Sequence, residues 1–443
     1  MTRAWRCLRS STTATASRPR CFTTSTPRRD IRSIAELPAR IYPSFKETKR
    51  HDLLALQWPS EPRNILFVRK DADALVHDTL IEYTKHIKAE YPSVNLVFEP
   101  HVAEQVHEAF DFPVYTLDQT DRGHTPYHDK VDLTSTLGGD GTILHAASLF
   151  ATAKRVPPVL SFSMGTLGFL GEWKFPEYKR AFREVYMSGA PSSLPAHHST
   201  HDADTQPSTG GWANLRGKAM GHSRNSRILM RNRLRIGIFS PTGERLPHEP
   251  PFAHAPNTGQ DIFALNEVLL HRGALPHLAH ITILIGSPPH QRTLTTAIAD
   301  GFLISTPTGS TAYSLSSGGS IVHPLVSSLL LTPICPRSLS FRPLVLPANT
   351  LVTLRSEPHN RAKEIEVSVD GVRRKQGLKA GMEVRVVGEE VRTAGAPGER
   401  DWRGGVPSIV RSGGGAGGVD GEDHWVGGLN SLLKFNYPFG EDG

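Results

Sequence analysis

Cysteine is nearly absent from this chain, which has three among its 443 residues. Two of them, Cys7 and Cys21, lie near the N-terminus. Cys335 is left alone in the body, which excludes an internal disulfide there and any cysteine-built zinc site. Long apolar runs are missing too. No stretch of about 18 apolar residues occurs, so no membrane-spanning helix is predicted. Acidic residues are missing from one place: residues 1–29 hold seven arginines, no lysine and no carboxylate before Asp30. Setting these seven aside leaves 43 basic against 43 acidic residues, so the net charge of +7 belongs to that segment. A globally basic surface is excluded, and with it the electrostatic case for nucleic-acid binding. The pattern GxxxxGK[ST] occurs nowhere, so a Walker-type phosphate loop is excluded. The 21 histidines are scattered, and no metal-ligand cluster is found.

What the N-terminal segment does contain is Arg, Ser and Thr, the composition of a mitochondrial transit peptide. Trp5 and Leu8 fall on one helical face with Arg3, Arg6 and Arg9 beside it. "RCFTTSTPRRD" resembles the two-step matrix-processing signal, which puts the mature start near Asp30 and the protein in the mitochondrial matrix. A disordered basic tail is the alternative.

Residues 30–60 read as a leader to the fold. From 60 to 189 strands alternate with amphipathic helices: "NILFVRK", then "DADALVHDTLIEYTKHIKAEY", "SVNLVFEP", "HVAEQVHEAF", "VDLTSTL", "TILHAASLFA", "PPVLSFS" and "FPEYKRAFREVYMSG". This predicts an α/β domain with a parallel, Rossmann-like sheet. Residues 190–222 are polar, without periodicity, and read as a disordered linker or insertion. From 223 to 390 short strands follow at close intervals, predicting an all-β C-terminal domain. Among them "RILMRNRLRIGIFS", "DIFALNEVLLHRG" and "TAIADGFLIST" each read as one strand. Residues 391–423 are expected to be a flexible Gly-rich insertion, and 424–443 a C-terminal element that docks.

Three polar stretches interrupt this pattern. Gly138-Gly139-Asp140-Gly141-Thr142 leaves a strand at the sheet edge where α/β folds bind ligands, and opens a helix. Glycine lets a phosphate approach the backbone, and the helix N-terminus offers unpaired N–H groups. Asp140 would repel phosphate, so it serves either to take a hydroxyl proton, to hold a metal, or simply to cap the helix. "MGTLGFLGEW" is a second Gly-rich loop after a strand. Asn266-Glu267 stands inside an apolar strand, where such a pair needs a polar partner. "ADGFLISTPTGSTAYSLSSGGSIVHP" is dense in small hydroxyls, which suits a ligand with phosphates and ribose hydroxyls; a turn-rich loop is the plain alternative.

Taken in order, "GGDGT", "MGTLGF", "LNE", "DGFLISTPTGSTAYSLSSGGSIVHP" and "LTPICPRSLSFRPLVLP" resemble the NAD kinase family over roughly 60–175 and 225–390. "GGDGT" is shared with lipid kinases and phosphofructokinases, whereas "STPTGSTAY" is highly specific. With the presequence, the chain looks most like the fungal mitochondrial branch, which includes NADH kinases.

The resemblance implies transfer of the γ-phosphoryl of ATP to the 2′-hydroxyl of the adenosine ribose of NAD⁺ or NADH, in a site between the two domains. It makes Asp140 the general base, and Gly139, Gly141 and Thr142 the phosphate-side cradle. Phe169 falls on the loop that closes over substrate. Asn266 and Glu267 resemble the pair gripping the dinucleotide, and Asp300 the adenine-side acceptor. Thr311, Ala312, Tyr313 and Ser316 fall on the nucleotide-binding segment. Ile298 stands where bacterial members often carry Arg, so no ionic contact is expected there. Mg²⁺ is expected with ATP rather than in a protein metal site. Neither a nucleic acid nor a membrane is an expected partner; a homo-oligomer is. Two readings compete: a lipid kinase sharing "GGDGT", which should lack the "STPTGSTAY" block, and a non-catalytic nucleotide sensor, which should lack Asp140.

Overall fold

The computed structural model describes residues 30–48, 52–71, 73–118, 125–165, 168–190, 212, 225–247, 261–394, 401–411, 425 and 429. The presequence, nearly all of 190–222 and most of 424–443 lie outside these residues.

The alternating segments build a parallel sheet. Strands β1 (Asn64–Arg69), β2 (Asn95–Phe98), β3 (Leu133–Gly138) and β4 (Val159–Ser163) stand side by side in the order β2–β1–β3–β4. Every residue of β1 and β3 is buried, as parallel strands covered on both faces must be. Helix α1 (Ala74–Glu90) starts where the Asp73 side chain accepts the Val76 N–H at 3.4 Å. It buries Val76, Leu80, Tyr83 and Ile87, spaced to share one face. The Tyr83 ring stands edge-on to Phe67 and Phe162, which locks the helix onto the sheet. Helix α2 (Pro100–Val106) has its proline in the first turn, where no N–H is needed. Helix α3 (Asp140–Ser148) follows β3 directly.

This sheet recruits more chain than the sequence reading allotted to it. Residues 30–60, expected only to lead in, supply the strands Ile31–Ser33, Ser44–Glu47 and Leu54–Gln57. Strand β5 (Arg227–Arg231), placed by the reading in the all-β part, pairs within it as well.

The second layer is a sandwich of two six-stranded antiparallel sheets. Ile236, Ile281, Leu354 and Val384 from one sheet meet Val268, Phe302, Leu331 and Val367 from the other in a common core. Three segments expected as single strands are each two. "RILMRNRLRIGIFS" ends β5 at Arg231 and begins Leu234–Phe239 in the sandwich. "DIFALNEVLLHRG" divides into Ile262–Ala264 in one sheet and β6 (Glu267–His271) in the other. "TAIADGFLIST" divides into Arg292–Ala299 and β7 (Gly301–Ser305). Asn266 and Asp300 therefore stand at crossings between sheets, not inside strands. Strand β8 (Glu366–Val369) lies beside β6 and ends at the turn carrying Asp370.

A last correction concerns residues 391–423. Strand β9 (Val406–Val410) inserts between β4 and β5 and is buried at every residue. "VPSIV" is short, flanked by glycine and contains Pro407, which argues against a central strand. Gly404 and Gly405, at φ of +86° and +72°, turn the chain into it.

Candidate functional site

The site is built where the α/β sheet meets the sandwich. Leu170, Ile143 and Leu265 share one buried apolar cluster, so the loop after β4, the helix α3 and the approach to Asn266 pack together. Residue Leu265 precedes Asn266, and Leu170 follows Phe169; their burial holds two of the expected motifs against each other.

On the sheet side, Gly139 caps α3 and Asp140 is its first residue. The Asp140 carboxylate accepts the Phe169 N–H at 3.0 Å through Oδ2 and the Leu170 N–H at 3.1 Å through Oδ1. Each carboxylate oxygen keeps a second lone pair, so the group is oriented without being used up. A Cβ on Gly168 would strike both carboxylate oxygens, which is why this position of "MGTLGF" must be glycine. Beside Asp140 a cavity of 440 Å³ is lined by Gly139, Gly141 and Thr142, by Arg69 and Lys70 from the end of β1 with Asp71 and Asp73 beyond it, and by His145 from α3. Glycine backbone, a helix N-terminus and two cations suit a phosphate chain. A cavity of 590 Å³ lies elsewhere, lined by Lys85, Lys88, Phe110 and Phe112; it contains no motif residue, and we attach no chemistry to it.

On the sandwich side, Asp370 stands at positive φ in the turn after β8. Its carboxylate accepts three successive N–H groups, from Leu265 at 2.6 Å, Asn266 at 2.7 Å and Glu267 at 3.0 Å. The Asn266 carbonyl accepts the Thr306 N–H at 2.8 Å. A Cβ on Gly309 would collide with that carbonyl, so "TPTG" can close on the turn only with glycine there. The Asn266 backbone is thus fixed, while its side-chain Oδ1 is buried without a partner. So is Oε2 of Glu267. Burial, with the nearby Asp370 charge, pushes the Glu267 carboxyl up to about 8. Burial also pushes Asp370 up to about 6, against the pull of its three N–H donors. Two adjacent buried polar atoms left open in this way are what a polar ligand would satisfy.

Thr311 closes a 3₁₀ turn, Thr308–Thr311, and Ala312 leads into the single helical turn Tyr313–Ser316. Tyr313 and Ser316 are exposed there. Asp300 is not brought to this cluster. It sits at the far end of β7, where it accepts from Arg272 Nε at 2.5 Å.

Four residues that shape this region escaped the sequence reading. Asp370 looks like an ordinary hairpin Asp-Gly in "SVDG". Arg69 and Lys70 look like the polar end of a strand. Arg231 lies in the apolar "RILMR", and that burial was its one signal. It is enclosed, with Nε donating to Ser408 Oγ at 3.1 Å and Nη2 reaching the Phe169 carbonyl at 3.5 Å and Glu172 at 3.8 Å. Burial lowers its pKa, opposed by the charges of Glu172 and Asp140. Arg231 thereby ties β9 to the loop that orients Asp140.

Comparison with known proteins shows the family. Residues 65–190 match the ATP-NAD kinase N-terminal domain, and residues 265–391 the ATP-NAD kinase C-terminal domain. The mitochondrial NADH kinase pos5 of Schizosaccharomyces pombe is 35% identical, over 94% of this chain and 88% of its own. The mitochondrial NADH kinase POS5 of Saccharomyces cerevisiae is 34% identical, over 81% of this chain and 76% of its own. A crystal structure of yeast NADH kinase complexed with NADH superposes with a TM-score of 0.71 at 31% identity, covering 93% of this chain and 97% of that one.

Proposed function

The chain belongs to the ATP-NAD kinase family, and from that premise we propose that Asp140 is the general base of its phosphoryl transfer. The protein is an NAD(H) kinase, passing the γ-phosphoryl of ATP to the 2′-hydroxyl of the adenosine ribose of NAD⁺ or NADH and yielding NADP(H). In this reading the 2′-oxygen forms a bond to the γ-phosphorus, the bond to the β,γ-bridging oxygen breaks, and ADP leaves. The hydroxyl proton goes to a free lone pair of the Asp140 carboxylate.

One observation carries the assignment. Two backbone N–H groups aim the Asp140 carboxylate beside a cavity fit for phosphates. A carboxylate so placed is poor as a phosphate ligand and well suited to a hydroxyl. Gly139, Gly141 and Thr142 cradle the phosphates, and Phe169 closes over the substrate. Asn266 and Glu267 grip the dinucleotide through their open side-chain atoms, and Thr311, Ala312, Tyr313 and Ser316 border it. Mg²⁺ carried in on ATP would neutralise the phosphates. Among the described residues no three His, Cys, Asp or Glu side chains are grouped to hold a metal themselves.

The names of the two fungal relatives support NADH as an acceptor and mitochondria as the location. The acid-free, Arg-rich residues 1–29 support delivery to the matrix. A homo-oligomeric state completes the proposal. Residues 60–189 and 223–390 act as its two lobes, with β5 and β9 lent to the first. Turnover of the purified chain with ATP and each dinucleotide, its mass in solution, and delivery of a reporter by residues 1–29 are the direct checks.

The decisive variant is Asp140→Asn, which keeps the shape and removes the proton acceptor. We expect kcat to fall at least ~10²-fold, the range for losing a general base, with dinucleotide affinity changed far less. A variant with near-normal kcat would end this assignment.

A further inference from the structure

We propose that His145, aimed by the carboxylate of Glu99, is a donor-side positioning residue that hydrogen-bonds the phosphate chain of ATP. The proposal rests on the reading that the cavity beside Asp140 receives those phosphates. His145 lines that cavity together with Arg69, Lys70 and the Gly139–Thr142 turn. It stands on α3, five residues beyond Asp140, so it lies roughly 7.5 Å further along the helix axis at 1.5 Å per residue. That offset matches the reach from a reacting γ-phosphate toward the rest of a triphosphate, not the reacting centre itself.

Its ring is half exposed, yet it is not free to turn. Nε2 lies 2.8 Å from Oε1 of Glu99, whose side chain is only 10% exposed at the start of α2. With Nε2 engaged there, Nδ1 is the ring nitrogen left for a ligand. The hydrogen bond to Glu99 is the largest influence raising the imidazole pKa, and it outweighs burial, which lowers it. The ring is therefore held toward its charged form, in which Nδ1 is a donor. Other charged groups stand on each neighbouring element. Arg69 and Lys70, at the end of β1, line the same cavity. Asp71 follows them and is paired with His101 of α2 at 3.0 Å. Asp73, at the start of α1, is paired with Lys70 at 3.4 Å. Both Asp71 and Asp73 thus have a cation or histidine beside them. Glu99 faces His145 directly, and no described carboxylate other than Asp71 and Glu99 contributes to its shift.

A simpler role for His145 would be to satisfy the Glu99 carboxylate. The two roles differ in what they change. A satisfying role affects stability, whereas a phosphate contact affects the KM for ATP and its pH dependence.

The test compares His145→Ala, Glu99→Gln and Lys70→Ala with the wild type in the full-length enzyme, measuring kcat and both KM values from pH 7 to 9. With Mg²⁺ in excess, the metal-bound triphosphate stays fully deprotonated across that range, so its own charge does not change. For His145→Ala we expect the KM for ATP to rise roughly tenfold, the scale of one charged hydrogen bond. Its kcat and dinucleotide KM should stay within about threefold. The wild-type KM for ATP should climb as pH rises through the imidazole titration, and that climb should vanish in His145→Ala. Glu99→Gln should move the climb to lower pH, since the partner that favours the charged ring is gone. If His145→Ala leaves the KM for ATP unchanged while Lys70→Ala raises it, the cavity still takes ATP but the role of His145 is overturned. If neither variant moves it, the cavity is not the donor site, and both readings fall. A fall in melting temperature with an unchanged pH climb would assign His145 to the scaffold.

Discussion

Glu267 shows how far a single residue can be read from its neighbours in sequence. "ALNEVLL" announces a polar pair among aliphatic side chains, and the cost of burying it predicts a partner. It does not reveal that a second carboxylate, Asp370, more than a hundred residues later, takes the backbone N–H groups of the pair while their side-chain oxygens stay open. Burial and that negative charge hold Glu267 at about 8, so at neutral pH it carries a proton and can donate a hydrogen bond. Two consequences have definite signs. The folded-state pKa lies above the ordinary carboxyl value of 4.5. The stability this group contributes is therefore present at low pH and is lost as pH rises through about 8. We expect the ligand-free melting temperature to decline between about pH 5 and 8 and to level off above that, and Glu267→Gln, which cannot ionise, to flatten the decline. The same variant imitates the protonated side chain, so its KM for NADH at pH 7 should stay within about threefold of wild type, while Glu267→Ala raises it by the ~1–3 kcal/mol of an unpaired buried group. Equal damage from Gln and Ala at pH 7 would mean that the ionised carboxylate is the binding form.

At the scale of elements, the central alternation of the N-terminal half was legible, since β1 to β4 and α1 to α3 fall where apolar spacing puts them, while the short strands at Ile31–Ser33, Ser44–Glu47, Leu54–Gln57 and Val114–Thr116 and the helix Thr125–Lys130 were not. The sandwich was legible as strands but not as sheets. Alternation simply continues through Asn232, Asn266 and Asp300, because a chain stepping from one sheet to the other keeps its inward side chains apolar on both sides of the step. The polar residue at each step is the visible trace. Asp300 shows the limit of that inference, since its step is closed by Arg272 and lies away from the Asn266 cluster. At the 265–267 step the backbone and side-chain roles separate cleanly. Asp370→Ala would orphan the N–H groups of Leu265, Asn266 and Glu267. We expect it to cost on the order of 2–4 kcal/mol in urea unfolding. Asn266→Ala removes only the side chain with the open oxygen. It should leave apo stability within ~1 kcal/mol and raise the KM for NADH, with the KM for ATP little changed. An Asn266→Ala protein that melts far lower, yet gains the wild-type shift on adding NADH, would make Asn266 a scaffold residue.

For the whole molecule, the two lobes are not two consecutive pieces of chain. The path leaves the α/β sheet after α3 and β4, returns as β5, builds the sandwich, and returns again as β9 to fill the gap between β4 and β5. Glycine density around "VPSIV" concealed this, because every composition window spanning it reads as linker. The consequence is testable by length alone. A chain ending at residue 391 keeps both matched family domains but loses β9. Val406, Ile409 and Val410 are buried in the sheet, and burying side chains of this size is worth ~1.5–3 kcal/mol each. The facing backbone edges of β4 and β5 would lose their neighbour, and Arg231 its bond to Ser408. Together these losses approach the whole ~5–15 kcal/mol stability of an ordinary domain. A chain ending at Arg411 keeps all of them. We expect the longer chain to melt cooperatively and the shorter one to be insoluble, or to unfold without a cooperative transition. Both lack residues 412–443, so the difference between them is the returning strand with the short hairpin, Arg392–Ala394 against Asp401–Arg403, that leads into it. If the 391-residue chain were soluble and melted within a few degrees of the longer one, β9 would be an ornament on the sheet, and Arg231 would have to orient the Phe169 loop without it.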